Sequence, residues 1–271
     1  MTGRELREAL RTGHRVYGTL IVSTSPKWPG VVQGAGADFV FIDTEHIPLD
    51  RDRLSWMCHA YRESGLPPVV RIPGPDPYQA CQVLDGGACG VIAPYVESAG
   101  QVRDLVGAAK LRPLKGQRLA AALAGRTSLE QPLAEYLDAR NSDTTLIVNI
   151  ESVPAMDNLD DICAVDGLDA VLIGPHDLSV SLGIPEQYRE PRFDAAVRKI
   201  IAKARDHGLG AGIHFWEGLD LEIEWARAGA NLIMHSGDIL LVGQALARDL
   251  AEIRRALGDM PGAGREDTGA V

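Results

Sequence analysis

The chain has 271 residues, of which 45% are hydrophobic and 24% are charged, and its formal net charge is -10. This length is sufficient for one large hydrophobic core, so we expect a single domain. The sequence lacks the clustered Lys and Arg residues that bind nucleic-acid phosphates, and its acidic balance favours small-molecule partners.

The N-terminal segment is charged and lacks the apolar core of a signal peptide, and no apolar run is long enough to span a membrane. We therefore predict a cytoplasmic protein that has no membrane contact. The four cysteines are scattered without a Cys-x-x-Cys pair, so the sequence indicates neither a zinc ribbon nor a disulfide framework.

Eight short apolar runs alternate with longer amphipathic segments along the chain. The runs cover 16–22, 39–42, 68–72, 90–93, 146–150, 170–173, 209–213 and 231–234. Their mostly unbroken apolar character is typical of parallel strands that are covered on both faces. Predicted helices lie between them at 50–61, 76–84, 98–109, 154–163, 193–207 and 216–228, and a long closing helix follows at 238–257.

Eight strand and helix units within about 250 residues predict an α/β fold of the closed (β/α)8 TIM-barrel type. The main competitor is an open doubly wound sheet, which would be favoured by a G-x-G-x-x-G loop after the first strand, but the sequence has none there. We assign the barrel domain to 1–257 and predict a disordered tail at 258–271. The long interval 110–143 is interpreted as a lid or a subunit contact.

Two carboxylates follow successive predicted strands, Glu151 after 146–150 and Asp177 soon after 170–173. Strand ends of a barrel meet at one face, so we expect these side chains to converge. An oxygen-rich pair of this kind suits Mg²⁺ or Mn²⁺ better than zinc. The alternative is that each carboxylate only caps a turn or helix.

Two further strand ends carry candidate catalytic groups. Arg71 precedes the rigid segment 72–75 and could hold its guanidinium against a carboxylate or a developing oxyanion, with a surface ion pair as the alternative. His46 lies beside Glu45 and is a candidate for proton transfer, although a lone histidine is more often structural. His176, His214 and His235 remain open.

Four ordered segments, 41–46, 70–71, 149–152 and 173–179, resemble the signature segments of the HpcH/HpaI family, and the similarity runs from about residue 17 to about residue 244. These are class II, pyruvate-dependent 2-oxo-acid aldolases, which are carbon-carbon lyases. The resemblance implies a TIM barrel in which Glu151 and Asp177 bind a divalent metal, Mg²⁺ or Mn²⁺ and possibly Co²⁺, together with the oxygens of pyruvate. It implies no organic cofactor.

The resemblance also implies roles for other residues. Arg71 would stabilise the pyruvate enolate, His46 would be the catalytic base, and Asp85 would orient that base from a neighbouring subunit. Backbone N–H groups around Gly174 and Asp177 would hold the pyruvate carboxylate. No identified strand end carries a lysine suited to a Schiff base, which agrees with metal chemistry.

Three positions depart from the usual family pattern, namely Asn149, His176 and His214, where glutamine, alanine and an aliphatic residue are frequent. We expect all three to border the substrate. The two added imidazoles suggest an acidic or hydroxylated aldehyde rather than a simple apolar one.

The first predicted function is the reversible, metal-dependent cleavage of a 4-hydroxy-2-oxo acid to pyruvate and an aldehyde. The alternative is related enolate chemistry on oxaloacetate, either a citrate-synthase-like condensation or a decarboxylation. A barrel that binds a metabolite without turnover is a third possibility. The expected assembly is a homo-oligomer, with a hexamer suggested by the resemblance.

Overall fold

The computed structural model describes residues 1–259, in which eight parallel strands close into one barrel. The strands are β1 (Val16–Ile21), β2 (Phe39–Asp43), β3 (Pro68–Arg71), β4 (Gly90–Ala93), β5 (Thr145–Ile150), β6 (Ala170–Ile173), β7 (Gly210–Phe215) and β8 (Leu232–Gly237). Each strand pairs with the next in the chain, and β8 pairs with β1. The closed order confirms the predicted α/β barrel and excludes the doubly wound sheet.

Thirteen helices occur within the described residues. They are α1 (Gly3–Thr12), α2 (Trp28–Gly34), α3 (Arg51–Glu63), α4 (Pro77–Asp85), α5 (Ala99–Lys110), α6 (Gly116–Leu123), α7 (Gln131–Asn141), α8 (Val153–Asp157), α9 (Leu159–Cys163), α10 (Pro175–Ser181), α11 (Pro191–Asp206), α12 (Leu219–Arg227) and α13 (Asp238–Leu257).

One predicted helix is wrong, and five helices, α1, α2, α6, α7 and α10, lie where no helix was predicted. The single helix expected at 154–163 is two short helices, α8 and α9, which meet at Asn158 because that residue leaves the helical conformation with φ -96° and ψ 11°. The interval 110–143 contains α6 and α7, and α6 has no buried residue. The predicted disordered tail lies, from residue 260 onward, outside the described residues.

The barrel interior is filled by large apolar side chains that alternate along the strands. Phe39, Phe41 and Met234 are at most 1% exposed, and Leu6 and Leu10 of α1 belong to the same cluster. Burial of each such side chain contributes roughly 1.5–3 kcal/mol. Helix α1 therefore closes the amino end of the barrel, and the functional groups must lie at the other end.

Helix α13 has the predicted bounds, yet Asp238 is its only buried residue. The Asp238 carboxylate accepts the N–H groups of Val22 at 3.0 Å and Ser23 at 2.8 Å, which fixes the start of the helix to the end of β1. Beyond that anchor, apolar side chains such as Leu246 and Ile253 are more than half exposed. None of the helices in residues 1–259 combines the length and apolar character required to cross a membrane.

Candidate active site

Polar side chains form the uppermost interior layer of the barrel, at the carboxyl ends of the strands. They follow the same alternation as the apolar interior residues, so they point into the barrel mouth. The layer consists of Asp43, Arg71, Asn149, His214 and Ser236. A concentration of polar groups at this end, and of apolar groups below it, is typical of an active site in this fold.

Arg71 is held in one orientation by the strand next to it. Asp43 and Arg71 are in register on β2 and β3, and the Asp43 carboxylate accepts from Nε at 2.8 Å and from Nη2 at 2.7 Å. Burial works to raise the pKa of Asp43, but the hydrogen bonds and charge of Arg71 outweigh it and hold that pKa below its ordinary value. Two of the five guanidinium N–H groups are used, which leaves three for other oxygens.

Glu151 directly follows β5 and is only 6% exposed. Its Oε1 accepts the backbone N–H of Tyr95 at 2.7 Å, and its Oε2 accepts Asn149 Nδ2 at 2.8 Å. Burial raises the pKa of Glu151 in spite of these hydrogen bonds, and the negative charges of Asp177 and Glu45 add to the effect. Burial and two neighbouring carboxylates make ionisation of Glu151 costly in free energy. A bound cation would compensate this cost.

In the structure, neither Glu151 nor Asp177 is the N-cap of a helix, which was the alternative role for these carboxylates. Ser152, not Glu151, caps α8 by accepting the Ala155 N–H at 3.2 Å. The N-cap of α10 is Gly174, and Asp177 is the third residue of that helix. Both carboxylates are therefore free of a capping role.

The two carboxylates also fit a hard divalent cation. A Cβ added at Gly174 would lie 2.6 Å from Glu151 Oε2, so the absence of a side chain there makes room for this carboxylate. The Oδ1 atom of buried Asn149 has no hydrogen-bond partner among the described residues. Within residues 1–259 no group of three or more His, Cys, Asp or Glu residues is arranged around a metal position. Two carboxylates suit Mg²⁺, which keeps several water or substrate ligands.

The three candidate histidines differ in their surroundings. His46 is half exposed, and its Nε2 lies 3.7 Å from Glu45 Oε1. His176 is exposed, with its Nδ1 3.6 Å from Glu186 Oε1. His214 packs against Phe41 and its Nε2 is 2.9 Å from the Ser236 carbonyl, and burial lowers the pKa of His214 to about 4. His214 is therefore neutral at physiological pH.

Asp85 does not join these residues within one chain. It ends α4, which runs back from the end of β3 towards the start of β4, and so it lies near the amino ends of the strands. Its side chain is 68% exposed, and its Oδ1 is 3.6 Å from Arg112 Nη1. A role in catalysis would require contribution to the site of another subunit, as the resemblance implies.

Three residues at this end of the barrel were not among the predicted site residues. Asp43 holds Arg71, Glu45 Oε2 lies 3.1 Å from Arg71 Nε, and Tyr95 donates its N–H to Glu151. Asp43 ends β2 and Glu45 follows that strand, so their place at a strand end was the available signal. Tyr95 follows β4, but no charged residue stands next to the end of β4, so the sequence pattern gives no signal for Tyr95.

Comparison with known proteins decides the family. The model of the HpcH/HpaI aldolase/citrate lyase family matches residues 17–242, most of the chain. This protein belongs to the HpcH/HpaI family. Members of that family are metal-dependent aldolases of class II, so the chain is an HpcH/HpaI-family lyase, and the resemblance inferred from the four segments is confirmed.

Named relatives and solved structures agree with the family. The chain is 32% identical to a hydroxypyruvate/pyruvate aldolase of Roseovarius nubinhibens over 92% of this chain and 96% of that protein. It is 33% identical to a 2-keto-3-deoxy-L-rhamnonate aldolase of Salmonella gallinarum over 90% of this chain and 91% of that protein.

Two crystal structures have the same barrel. An HpcH/HpaI aldolase from Desulfitobacterium hafniense matches with a TM-score of 0.80 and 27% identity, over 96% of this chain and 99% of that chain. The citrate synthase SbnG matches with a TM-score of 0.79 and 29% identity, over 94% of this chain and 99% of that chain. The second of these relatives is a synthase, so the barrel serves more than one reaction.

Proposed function

We propose that this HpcH/HpaI-family member cleaves a 4-hydroxy-2-oxo acid reversibly to pyruvate and an aldehyde, with a divalent ion, Mg²⁺, Mn²⁺ or Co²⁺, held by Glu151 and Asp177. The observation that carries the proposal is the buried Glu151 carboxylate, whose pKa is raised, at the same barrel mouth as the oriented guanidinium of Arg71. Such a site favours a substrate that brings negative charge to a cation and an arginine.

The position of each residue in the site suggests its role in the reaction. When bound, the ion would supply Lewis-acid polarisation of the 2-oxo acid. Arg71, fixed by Asp43, would donate free N–H groups to the keto oxygen as it gains negative charge during cleavage. Backbone N–H groups near Gly174 and Asp177 would bind the carboxylate. His46 would accept the proton of the C4 hydroxyl, because its exposed ring can reach a substrate in the barrel mouth.

The three positions that depart from the family pattern are assigned to substrate contacts. Asn149 donates to Glu151 and keeps its Oδ1 free, so it can meet a substrate donor. Exposed His176 lies beside Asp177 in the first turn of α10, where it faces the aldehyde half. Neutral His214, near Arg71, would line the floor of the site.

We also propose that the protein forms a homo-oligomer, and the expected size is a hexamer. Helix α13 leaves the barrel surface with apolar side chains exposed over most of its length, and a partner subunit would cover them. Trp56, which is 72% exposed, neighbours Ser55, whose hydroxyl donates to the Gly86 carbonyl next to Asp85. An exposed tryptophan near Asp85 suits a subunit interface. We also propose a cytoplasmic location and one domain over 1–257.

The test measures pyruvate release from a panel of 4-hydroxy-2-oxo acids and from oxaloacetate, with EDTA and after addition of magnesium, manganese or cobalt. We expect activity to disappear in EDTA and to return with metal. Glu151→Gln and Asp177→Asn should abolish binding of Mn²⁺ in calorimetry, while the exposed Asp166→Asn binds it normally. Pyruvate release that persists in EDTA would contradict the proposal.

The second candidate is oxaloacetate chemistry, which the similarity to a citrate synthase favours. His46 separates the two reactions, because decarboxylation of oxaloacetate has no hydroxyl proton to remove. We expect His46→Ala to slow aldol cleavage far more than decarboxylation. A chain that turns over oxaloacetate but no 4-hydroxy-2-oxo acid would favour the second candidate.

A further inference from the structure

We propose that Arg112 is a positioning residue, which holds the Asp85 carboxylate of its own chain in the orientation that the active site of a neighbouring subunit needs. The inference rests on the proposed function, with Asp85 serving a site across a subunit boundary. It gives a role to the interval 110–143, which the sequence indicated only as a lid or a subunit contact.

Asp85 and Arg112 lie at the ends of two neighbouring helices. Asp85 is the last residue of α4, and Arg112 follows the end of α5 by two residues. The two helices pack against each other, and both run towards the amino ends of the strands. The last turn of α4 contains no basic residue. Because the helix dipole disfavours a carboxylate at this end, a cation from elsewhere in the chain stabilises Asp85 there.

The Arg112 guanidinium is enclosed but incompletely paired. Its side chain is 14% exposed, and neither Nε nor Nη1 has a hydrogen-bond acceptor among the described residues. Burial lowers the pKa of Arg112, and the negative charge of Asp85 opposes this shift. An arginine stays charged in proteins, so two enclosed N–H groups without acceptors carry a desolvation cost that a carboxylate would remove.

Asp85 is a carboxylate within reach of this guanidinium. Its Oδ1 lies 3.6 Å from Arg112 Nη1, which is the distance of an ion pair and too long for a hydrogen bond. The Asp85 side chain is mostly exposed and free to turn, and a shift of less than about 1 Å would bring its oxygen to hydrogen-bond distance. Cys81, one turn earlier on α4, is no substitute, because burial raises the pKa of its thiol and keeps it neutral.

The backbone of Arg112 is fixed by α7. The side-chain nitrogen of buried Asn141 donates to the Arg112 carbonyl at 2.7 Å. It also donates to the carbonyls of Lys110 at 3.1 Å and Leu137 at 2.9 Å. The guanidinium therefore starts from a fixed point of the chain, so little conformational entropy is lost when it binds a carboxylate.

Assembly of subunits would complete the pair between Arg112 and Asp85. A subunit that covers Asp85 excludes water from it, and the attraction between the two charges then increases. A carboxylate has about four lone-pair positions. Asp85 can therefore accept from Arg112 and still accept an imidazole N–H from His46 of the partner subunit.

The variant Arg112→Met tests this role because it removes the guanidinium and keeps most of the side-chain volume. We expect kcat for the 4-hydroxy-2-oxo acid that the wild-type protein cleaves fastest to fall by about tenfold to a hundredfold, as loss of a hydrogen bond to a charged group would. KM and Mn²⁺ affinity should stay unchanged, because Asp85 acts through the base and not on the metal or the 2-oxo acid. The matched control is Arg140→Met, at an exposed arginine of the same interval.

Arg112→Lys is the conservative variant. It keeps the charge but lacks the planar fork, so its kcat should lie between those of the wild type and Arg112→Met. Thermal unfolding shows whether each variant is folded. If Arg112→Met does not fold, Arg112→Lys takes its place in the mixtures described next.

Refolded mixtures show which site Arg112 serves. One subunit supplies Arg112 and Asp85, and the other supplies Glu151. Arg112→Met mixed with Glu151→Ala should therefore regain activity, with about a quarter of the sites intact after random mixing. Arg112→Met mixed with Asp85→Ala should not, because every subunit then lacks one member of the pair. If Arg112 served the site of its own chain, the two results would be reversed.

That reversal, or an unchanged kcat in Arg112→Met, would overturn the inference. A fall in Mn²⁺ affinity as large as the fall in kcat would assign Arg112 to the fold alone and would overturn it as well. If the wild-type protein cleaves no 4-hydroxy-2-oxo acid, the proposed function itself fails. If the wild-type protein cleaves one and Asp85→Ala is equally active, the proposed function stands, and only the shared site and this inference fail.

Discussion

At the scale of single residues, the candidate site depends on one close approach between a backbone and a carboxylate. Gly174 has φ -85° and ψ 99°, a conformation open to any residue. Its importance is steric, because an added Cβ would meet Glu151 at both Oε2 and Cβ, at 2.6 and 3.1 Å. The glycine therefore positions the carboxylate that we assign to the metal.

Gly174→Ala should weaken metal binding without removing a ligand. The methyl group would displace the Glu151 carboxylate from Asn149 and Tyr95, and we expect Mn²⁺ affinity in calorimetry to fall by about tenfold or more, as for other changes behind a metal ligand. Gly34→Ala is the control, since no atom lies within 4 Å of its added Cβ. Equal affinity in the two variants would refute the steric role of Gly174.

A second residue-scale prediction concerns His235, one of the histidines that the sequence left undecided. Its Nδ1 is 2.9 Å from Glu222 Oε2, and this hydrogen bond raises the pKa of His235 above its ordinary value although burial opposes it. A raised pKa stabilises the folded state fully below about pH 6.5, and the contribution is lost as the pH rises through the folded-state pKa.

Glu222→Gln should therefore lower the free energy of unfolding more at about pH 6 than at about pH 9. Urea unfolding at the two pH values measures the difference. Glu224→Gln, on the same helix but at an exposed carboxylate that contacts Arg198, should show no such dependence. An effect of Glu222→Gln that is equal at both pH values would remove His235 as its cause.

At the scale of elements, one buried carboxylate joins helices and strands at the amino end of the barrel. Asp169, just before β6, is 1% exposed and accepts from Lys110 at the end of α5, from Arg11 of α1 at 3.2 Å and from the Leu146 N–H at 2.9 Å. Burial lowers the pKa of Lys110, and the charge of Asp169 opposes that shift. Removal of the carboxylate would leave Lys110 buried without its partner.

Asp169→Ala should destabilise the protein by about 3 kcal/mol, because breaking a buried ion pair leaves an uncompensated charge. Urea unfolding would measure the loss, with exposed Asp166→Ala as the control at less than about 0.5 kcal/mol. Adding Lys110→Met to Asp169→Ala should restore part of the stability. A double variant no more stable than Asp169→Ala would contradict the ion-pair explanation.

At the scale of the whole molecule, the arrangement of Asp85 and α13 makes assembly part of the proposed mechanism. Asp85 lies at the end of the barrel opposite to Glu151, and α13 exposes its apolar residues. A site that combines Glu151 of one subunit with Asp85 of another follows if the oligomer joins these two ends.

Complementation tests this shared site. Glu151→Ala and Asp85→Ala should each be inactive in aldol cleavage, but a mixture refolded together should regain activity. With random mixing, half of the subunits supply Glu151 and half of their neighbours supply Asp85, so about a quarter of the sites are intact. Activity no higher than that of the separate variants would place Asp85 outside the site. Analytical ultracentrifugation of the same samples gives the subunit number.

Much of this organisation could be predicted from the sequence, for a physical reason. Strands that are covered on both faces must be apolar throughout. Two of the apolar runs in the sequence, 90–93 and 170–173, therefore have the same bounds as β4 and β6. The carboxyl ends of parallel strands lie at one face of the barrel, so the sequence predicted that Arg71, Glu151 and Asp177 lie at the same end. The split of α8 from α9 and the helices of 110–143 were not predicted, because short helices depend on tertiary contacts more than on local pattern.

What the sequence by itself determined is the barrel, its polar end and the family chemistry, because all three follow from local apolar runs and from short motifs at strand ends. Only the tertiary structure decided that Asp43 orients Arg71, that Gly174 makes room for Glu151, and that the Tyr95 N–H donates to Glu151. These relations join residues that are distant in the chain. They depend on strand register and on distances of a few ångströms, which a linear pattern does not encode.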